Sequence, residues 1–162
     1  MTPGGNHSRT EIFEPLDRRS SLGYQVNHLA RLLEQGLRTR TVGHGVVPGQ
    51  FAQLLALYEQ EPLTQRELCD RVQIEQSTMA YTLQRMERDG LIERTPDPAD
   101  GRRSFISLTR RARELQETLA SAARAVNETA TQGMSDDAVD TLMKTMQQMI
   151  RNLEAAAGRR PL

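Results

Sequence analysis

Apolar positions along the chain fall into helical steps, with one alternating stretch in the middle. From Ser21 onward Leu22, Val26, Leu29, Leu33 and Leu37 recur in steps of four and three, which predicts a helix. "VGHGVVPGQ", with Gly43, Gly45 and Pro48, breaks it. "PGQFAQLLALYEQ" predicts a second helix with Phe51, Leu54, Leu55 and Tyr58 on one side. "EPLTQRELCDRV" opens with a capping box, in which Thr64 accepts from the third backbone N–H of a short helix while Glu67 reaches back. "QIEQS" interrupts that helix. The next begins near Glu75 or Gln76, turns Met79, Leu83 and Met86 inward, and ends at Gly90. Two short helices joined by a tight turn form a helix-turn-helix pattern.

The alternating segments "LIERT" and "RSFISLT" predict two strands joined by the turn "DPADGRRS". After them the spacing returns to helix. Leu108, Ala112, Leu115, Leu119, Ala122 and Val126 step alternately by four and three, and Val139, Met143, Met146, Ile150, Leu153 and Ala157 form a second such stripe. An intramolecular antiparallel pair would satisfy both stripes. Leu142 and Met149 make the last stripe wider than one partner requires, which favours a dimer interface. The predicted fold class is mainly α with a small β-hairpin wing: a winged helix-turn-helix domain with dimerisation helices at both ends. The predicted organisation is an arm at 1–17, an N-terminal helix at 18–47, the winged domain at 48–110 and the C-terminal helices at 111–162.

Composition narrows the function. The 162 residues carry 21 basic and 21 acidic side chains, so the chain as a whole has no attraction for polyanions. Twenty of the basic residues are Arg, a bias that suits phosphate and guanine recognition but that a GC-rich genome also produces. Their distribution is more telling: ten arginines face eight acids between Arg66 and Arg113, against three basic residues and seven acids between Glu114 and Glu154. No apolar run approaches the roughly 18 residues of a membrane span. A single cysteine, Cys69, excludes an internal disulfide. With no basic-then-apolar leader at the N-terminus, a cytoplasmic protein is expected. No phosphate loop, metal-spaced Cys/His cluster or nucleophile elbow is present, and His7, His28 and His44 are scattered. Neither an enzyme, a metal site nor a cofactor is expected.

A DNA-reading surface is the alternative that assembles. With Met79, Leu83 and Met86 inward, Gln76, Ser77, Tyr81, Gln84, Arg85 and Arg88 fall on the opposite side of the helix. Ser77 and Thr78 at a helix N-terminus suit phosphate contacts. Gln76 can read an adenine edge, and Tyr81 a thymine methyl or a phosphate. Arg85 is a DNA candidate, whereas Arg88 is better placed for a surface pair with Glu87 or Asp89. Thr64 and Gln65, at the start of the preceding helix, join the candidates. The turn supplies Arg102 and Arg103 for a flanking minor groove. Asp100, and Asp97 beside it, are expected to hold a guanidinium in a fixed direction, and Gly101 to permit the turn.

These motifs together resemble the MarR family of bacterial transcription regulators, from about Ser21 to the C-terminus. The resemblance is strongest in the wing motif Asp97-x-x-Asp100-x-Arg102, the recognition-helix start Ser77-Thr78 and the exit Asp89-Gly90-Leu91-Ile92. It implies a homodimer with interlaced terminal helices, reading a palindromic double-stranded DNA operator, most often as a repressor. It also implies a cleft for a small aromatic or lipophilic effector, for which His28, Arg31 and His44 are polar candidates by position. Tyr81 and Ala112 depart from the family pattern, where Arg or another polar residue and Gly are common. Cys69, between Leu68 and Asp70, reads as structural, and no zinc-sensing residue set assembles. A winged-helix protein-interaction module without DNA binding is the rival reading, and arginines in the wing argue against it.

Overall fold

The computed structural model describes residues 17–158. Most of the expected N-terminal arm, including His7, lies outside the described residues. Helix α1 (Leu22–Thr41) starts where Ser21 caps it, the hydroxyl accepting from the Tyr24 amide. It ends in the expected glycine-containing break, which folds as two single 3₁₀ turns, Val42–His44 and Pro48–Gln50. Then follow α2 (Phe51–Glu59), β1 (Leu63–Thr64), α3 (Gln65–Val72), α4 (Gln76–Arg88), β2 (Ile92–Pro96) and β3 (Ser104–Leu108). The chain continues through α5 (Arg110–Glu114), α6 (Gln116–Ala130) and α7 (Asp136–Ala156).

The local signals act as their chemistry requires. Thr64 and Glu67 close the capping box at α3, with the Thr64 amide 2.7 Å from the Glu67 carboxylate and the Glu67 amide 3.3 Å from the Thr64 hydroxyl. Gly90 ends α4 with φ +67°, and the Gly90 and Leu91 amides fold back to the Glu87 and Met86 carbonyls. That is a Schellman cap, which a residue with a Cβ adopts only under strain.

Three features differ from the sequence expectation. The wing is a three-stranded antiparallel sheet in the order β1-β3-β2, with Leu63 opposite Ile106 and Arg94 opposite Ile106 from the other side. A two-residue strand has too short a pattern to register as alternation. Leu108 belongs to β3, not to the helix that follows, which begins after the Thr109 cap and is interrupted at Leu115. Helix α2 has two apolar sides: Leu54 and Leu57 are buried in the winged core, while Leu55 stands half-exposed on the other side.

The core of the winged domain is closed within the chain. Leu54, Leu68, Met79, Leu83, Met86, Leu91 and Ile106 have no exposure. Tyr58 bolts α2 to α5 through a 2.6 Å hydrogen bond from its hydroxyl to the Ala112 carbonyl. Helix α1 packs on α6, where Gly36 lets the backbone come so close that a Cβ would stand 3.4 Å from both Val126 methyl groups. Helix α7, capped by Ser135, buries none of its residues.

Candidate nucleic-acid interface

Helices α3 and α4 present their N-termini to one side of the domain. Met79, Leu83 and Met86 anchor α4 in the core, so Gln76, Ser77, Thr78, Tyr81 and Gln84 are exposed on its outer side. No acidic residue occupies the first turn of α4, and Glu75 makes no side-chain cap, so the free amides there point outward beside Ser77 and Thr78. Such a terminus favours an anion. Tyr81 is 62% exposed, and the Arg85 guanidinium lies 5.8 Å from its ring centroid. This cation–π contact presents the two side chains as one unit.

Gln65 and Gln76 meet across the turn. Gln65 Nε2 donates to Gln76 Oε1 at 3.1 Å and approaches the Gln76 carbonyl at 3.4 Å. The pair leaves the Gln76 amide N–H₂ free to donate outward. Thr64 is largely buried, and its hydroxyl and amide are both engaged by Glu67. It holds the start of α3 while still lining the cleft that faces the wing. The Thr64 amide, and then its hydroxyl, hold the Glu67 carboxyl below the ordinary carboxylate range, with Arg103 and Arg71 adding to the effect.

The wing turn is built from its own aspartates. Asp97 Oδ1 accepts from the Ala99 amide at 2.8 Å, and Asp100 Oδ1 accepts from the Arg102 amide at 3.1 Å and from Arg102 Nε at 3.2 Å. Those two bonds hold the Asp100 carboxyl below its ordinary value, the backbone bond first. Arg103 Nε stands 3.9 Å from Asp97 Oδ2. Each arginine therefore has an aspartate behind it, and Arg102 projects with its side chain 92% exposed. Gly101 departs from expectation: its backbone is not left-handed, and a Cβ there would meet nothing within 4 Å. The Asp–amide bonds close the turn without it.

Between the helix pair and the wing lies a cleft of about 680 Å³, lined by Gln65, Arg66, Gln76, Arg94, Arg102 and Arg103 among others. Arg94 is not among the residues the sequence singled out. It shares a face with Ile92 through the two-residue strand period, a signal available in the sequence, and it pairs with Glu87 at 3.3 Å. Arg88 pairs with Asp89 at 2.9 Å, the surface pairing its position suggested.

A second concavity, about 550 Å³, separates α1, α2 and α6. Leu33, Leu37, Phe51, Leu55 and Val126 make it apolar, with Glu34 and Asn127 also in its lining. His28, Arg31 and His44 do not line it. His28 packs its ring against Tyr24, centroids 6.0 Å apart, and the His44 carbonyl accepts from Arg111. Cys69 is buried, and burial, followed by the charges of Asp70 and Glu75, pushes its thiol up. Among the described residues no group of three His, Cys, Asp or Glu side chains could hold a metal, and no helix is long and apolar enough to cross a membrane.

Residues 44–103 match the sequence profile of the MarR family. The chain is 28% identical over 151 residues to the HTH-type transcriptional regulator TtmR of Methylorubrum extorquens, covering 93% of this chain and 76% of that protein. It is 32% identical over 89 residues to the uncharacterized HTH-type transcriptional regulator YsmB of Bacillus subtilis, covering 55% of this chain and 61% of that protein. Its fold is that of a mutant MarR from E. coli complexed with operator DNA, with TM-score 0.73 and 20% identity over 79% of this chain and 92% of that one. It is also that of CouR from Rhodococcus jostii bound to p-coumaroyl-CoA, with TM-score 0.71 and 19% identity over 83% and 94%.

Proposed function

We propose that the chain, whose residues 44–103 match the MarR family profile and which is similar along most of its length to an HTH-type transcriptional regulator, binds a palindromic operator as a homodimer and represses transcription until a small lipophilic or aromatic effector releases it. One observation carries the DNA reading: the exposed polar side of α4 and the outward Arg102 border the same cleft. Helix α4 enters a major groove, where Gln76, Ser77 and Tyr81 meet base edges, and the wing places Arg102 and Arg103 over the neighbouring minor groove. Residues 48–110 do this work. The helices in 18–47 and 111–162 hold two copies together, and their exposed apolar residues, among them Leu29, Ile150 and Leu153, support that assignment. A MarR structure with operator DNA is a relative of the same fold. The protein works in the cytoplasm, where its operator is.

The effector reading rests on the apolar groove, whose volume is in the range that encloses a small organic molecule. CouR, of the same fold, binds p-coumaroyl-CoA. A ligand wedged between α1, α2 and α6 stabilises a dimer whose recognition helices no longer match successive major grooves. The shift in operator affinity equals the ligand's preference between the two states, about 1–3 kcal/mol.

The test is selection of bound fragments from genomic DNA, followed by titration of the recovered site with and without a panel of aromatic acids. A palindrome with half-sites about one helical turn apart is the expected yield. Recovery of no enriched sequence would leave the winged domain as a protein-interaction module.

A further inference from the structure

Arg111, the second residue of α5, joins two segments distant in sequence. Its Nη1 donates to the Asp89 carbonyl at 2.7 Å, at the C-cap of α4. Its Nη2 donates to the His44 carbonyl at 2.6 Å, the last residue of the 3₁₀ turn after α1. Both oxygens lie at the negative ends of helical segments, where carbonyls lack an intrahelical partner and a cation is favoured. Space is kept for the guanidinium: Gly45, with φ +70°, would carry a Cβ only 2.7 Å from Nη2.

A buried amide ties the same α4 cap to the second 3₁₀ turn, Pro48–Gln50. Gln50, 1% exposed, donates from Nε2 to Asp89 Oδ2 at 2.8 Å and accepts at Oε1 from the Val47 amide at 3.2 Å. Thr109 completes the junction, its amide on the Leu91 carbonyl and its hydroxyl on the Gly90 carbonyl. Arg111 does not line the cleft between α4 and the wing.

We propose that Arg111 is a positioning residue for operator recognition: it fixes the direction of α4 relative to α1, and so the separation of the two recognition helices in the dimer. The proposal rests on the reading of the chain as a dimeric operator-binding protein. α1 belongs to the region where two copies meet, while α4 reads the DNA. Any hinge between them changes the distance from one α4 to the other, which must match a helical turn of about 34 Å. A planar guanidinium holds both carbonyls in one geometry, whereas an ammonium has no fixed fork. Arg111 is exposed, so its bonds compete with water and add little to folding. Their effect is on orientation.

The experiment uses full-length protein, its selected operator, and versions of that operator with the half-sites moved apart or together by one or two base pairs. Arg111→Ala is expected to lose roughly tenfold in affinity on the native spacing and far less on the shifted ones, so that the preference for native spacing collapses. The salt slope is expected to stay unchanged, because no phosphate contact is removed. Arg111→Lys falls between parent and Ala. Equal weakening at every spacing, or a lowered salt slope, would overturn the proposal in favour of a folding defect or a direct DNA contact. Unchanged affinity with spacing preference intact overturns it as well. A parent protein indifferent to spacing sinks the operator reading itself, and does so before any substitution is made.

Discussion

The winged domain and the helices at its two ends use the same kind of apolar pattern to opposite effect. In the winged domain, Met79, Leu83 and Met86 of α4 are fully buried by other parts of the same chain. In α7 an equally regular stripe leaves Met143 and Ile150 about half exposed and Leu153 72% exposed. Helix α1 is similar: Leu22, Val26 and Leu29 are exposed, while Gly36 further along packs on Val126 of α6. An amphipathic stripe therefore announces that a surface is to be covered without saying by which chain. Whether the partner is internal depends on what else the fold has brought near.

The largest expected effect breaks this contrast directly. In the proposed two-fold interface Met146→Glu with Ile150→Glu would place four carboxylates and should weaken dimerisation by about a thousandfold or more, roughly 4 kcal/mol. The winged domain should stay folded, because neither residue is part of its core. Sedimentation together with thermal unfolding reads both outcomes, and a double variant that remains dimeric refutes the assignment of α7.

Within that monomeric background the contrast is sharpened by a matched pair. Leu83→Ala should cost about 2–5 kcal/mol in denaturant unfolding, whereas Leu153→Ala should stay within about 0.5 kcal/mol. Similar losses for the two would mean that α7 is covered by its own chain in solution.

A third comparison sets a wing arginine against a helical one. Arg102→Ala should lower the slope of log affinity against log salt by up to about two units in a dimer. Arg124→Ala, whose guanidinium pairs with Glu117 on α6, should leave the slope unchanged. Asp100→Ala should be milder than Arg102→Ala and add little to it, because the carboxylate acts through the guanidinium. Equal slopes for parent and Arg102→Ala would make the wing a solvated turn.

The smallest effect concerns the seam between the two regions. Glu61 Oε2 accepts from the Leu108 amide at 2.6 Å, and Arg113 Nε donates to Oε1 at 2.8 Å. Partial burial pushes the Glu61 carboxyl up, but the Arg113 and Leu108 hydrogen bonds outweigh it, and the net direction is down. A carboxyl whose folded pKa is depressed stabilises the fold above the unfolded value, near about 4.3, and that contribution is lost as pH falls through the folded pKa. Glu61→Gln should therefore lower the melting temperature by a few degrees at neutral pH, with the gap closing in acid. A gap independent of pH would assign the effect to packing alone.

Much of the winged domain was legible because its signals are short-range. The capping box of Thr64 with Glu67, the Gly90 stop and the inward triplet of α4 are each written within a few residues. So are the aspartates behind Arg102 and Arg103, bonded two and six positions away. The roles of particular residues were less secure. Thr64 caps α3 while lining the cleft, Gly101 is not left-handed in its turn, and His28, Arg31 and His44 do not line the apolar groove.

What the sequence determined by itself was the succession of helix-turn-helix, wing hairpin and terminal helices, the Thr64–Glu67 and Gly90 caps, and the inward side of α4. These follow from hydrogen bonds and side-chain periods that close within one or two turns, where little chain entropy has to be lost. The tertiary structure alone decided the third strand, with Leu63 opposite Ile106, the arrival of Arg94 at the cleft, and the Gln50 amide beneath Asp89. It also decided that Arg111 would meet a carbonyl 67 positions away. Contacts of that range carry no local pattern: each partner looks like an ordinary surface residue until packing of the core brings the two backbones together.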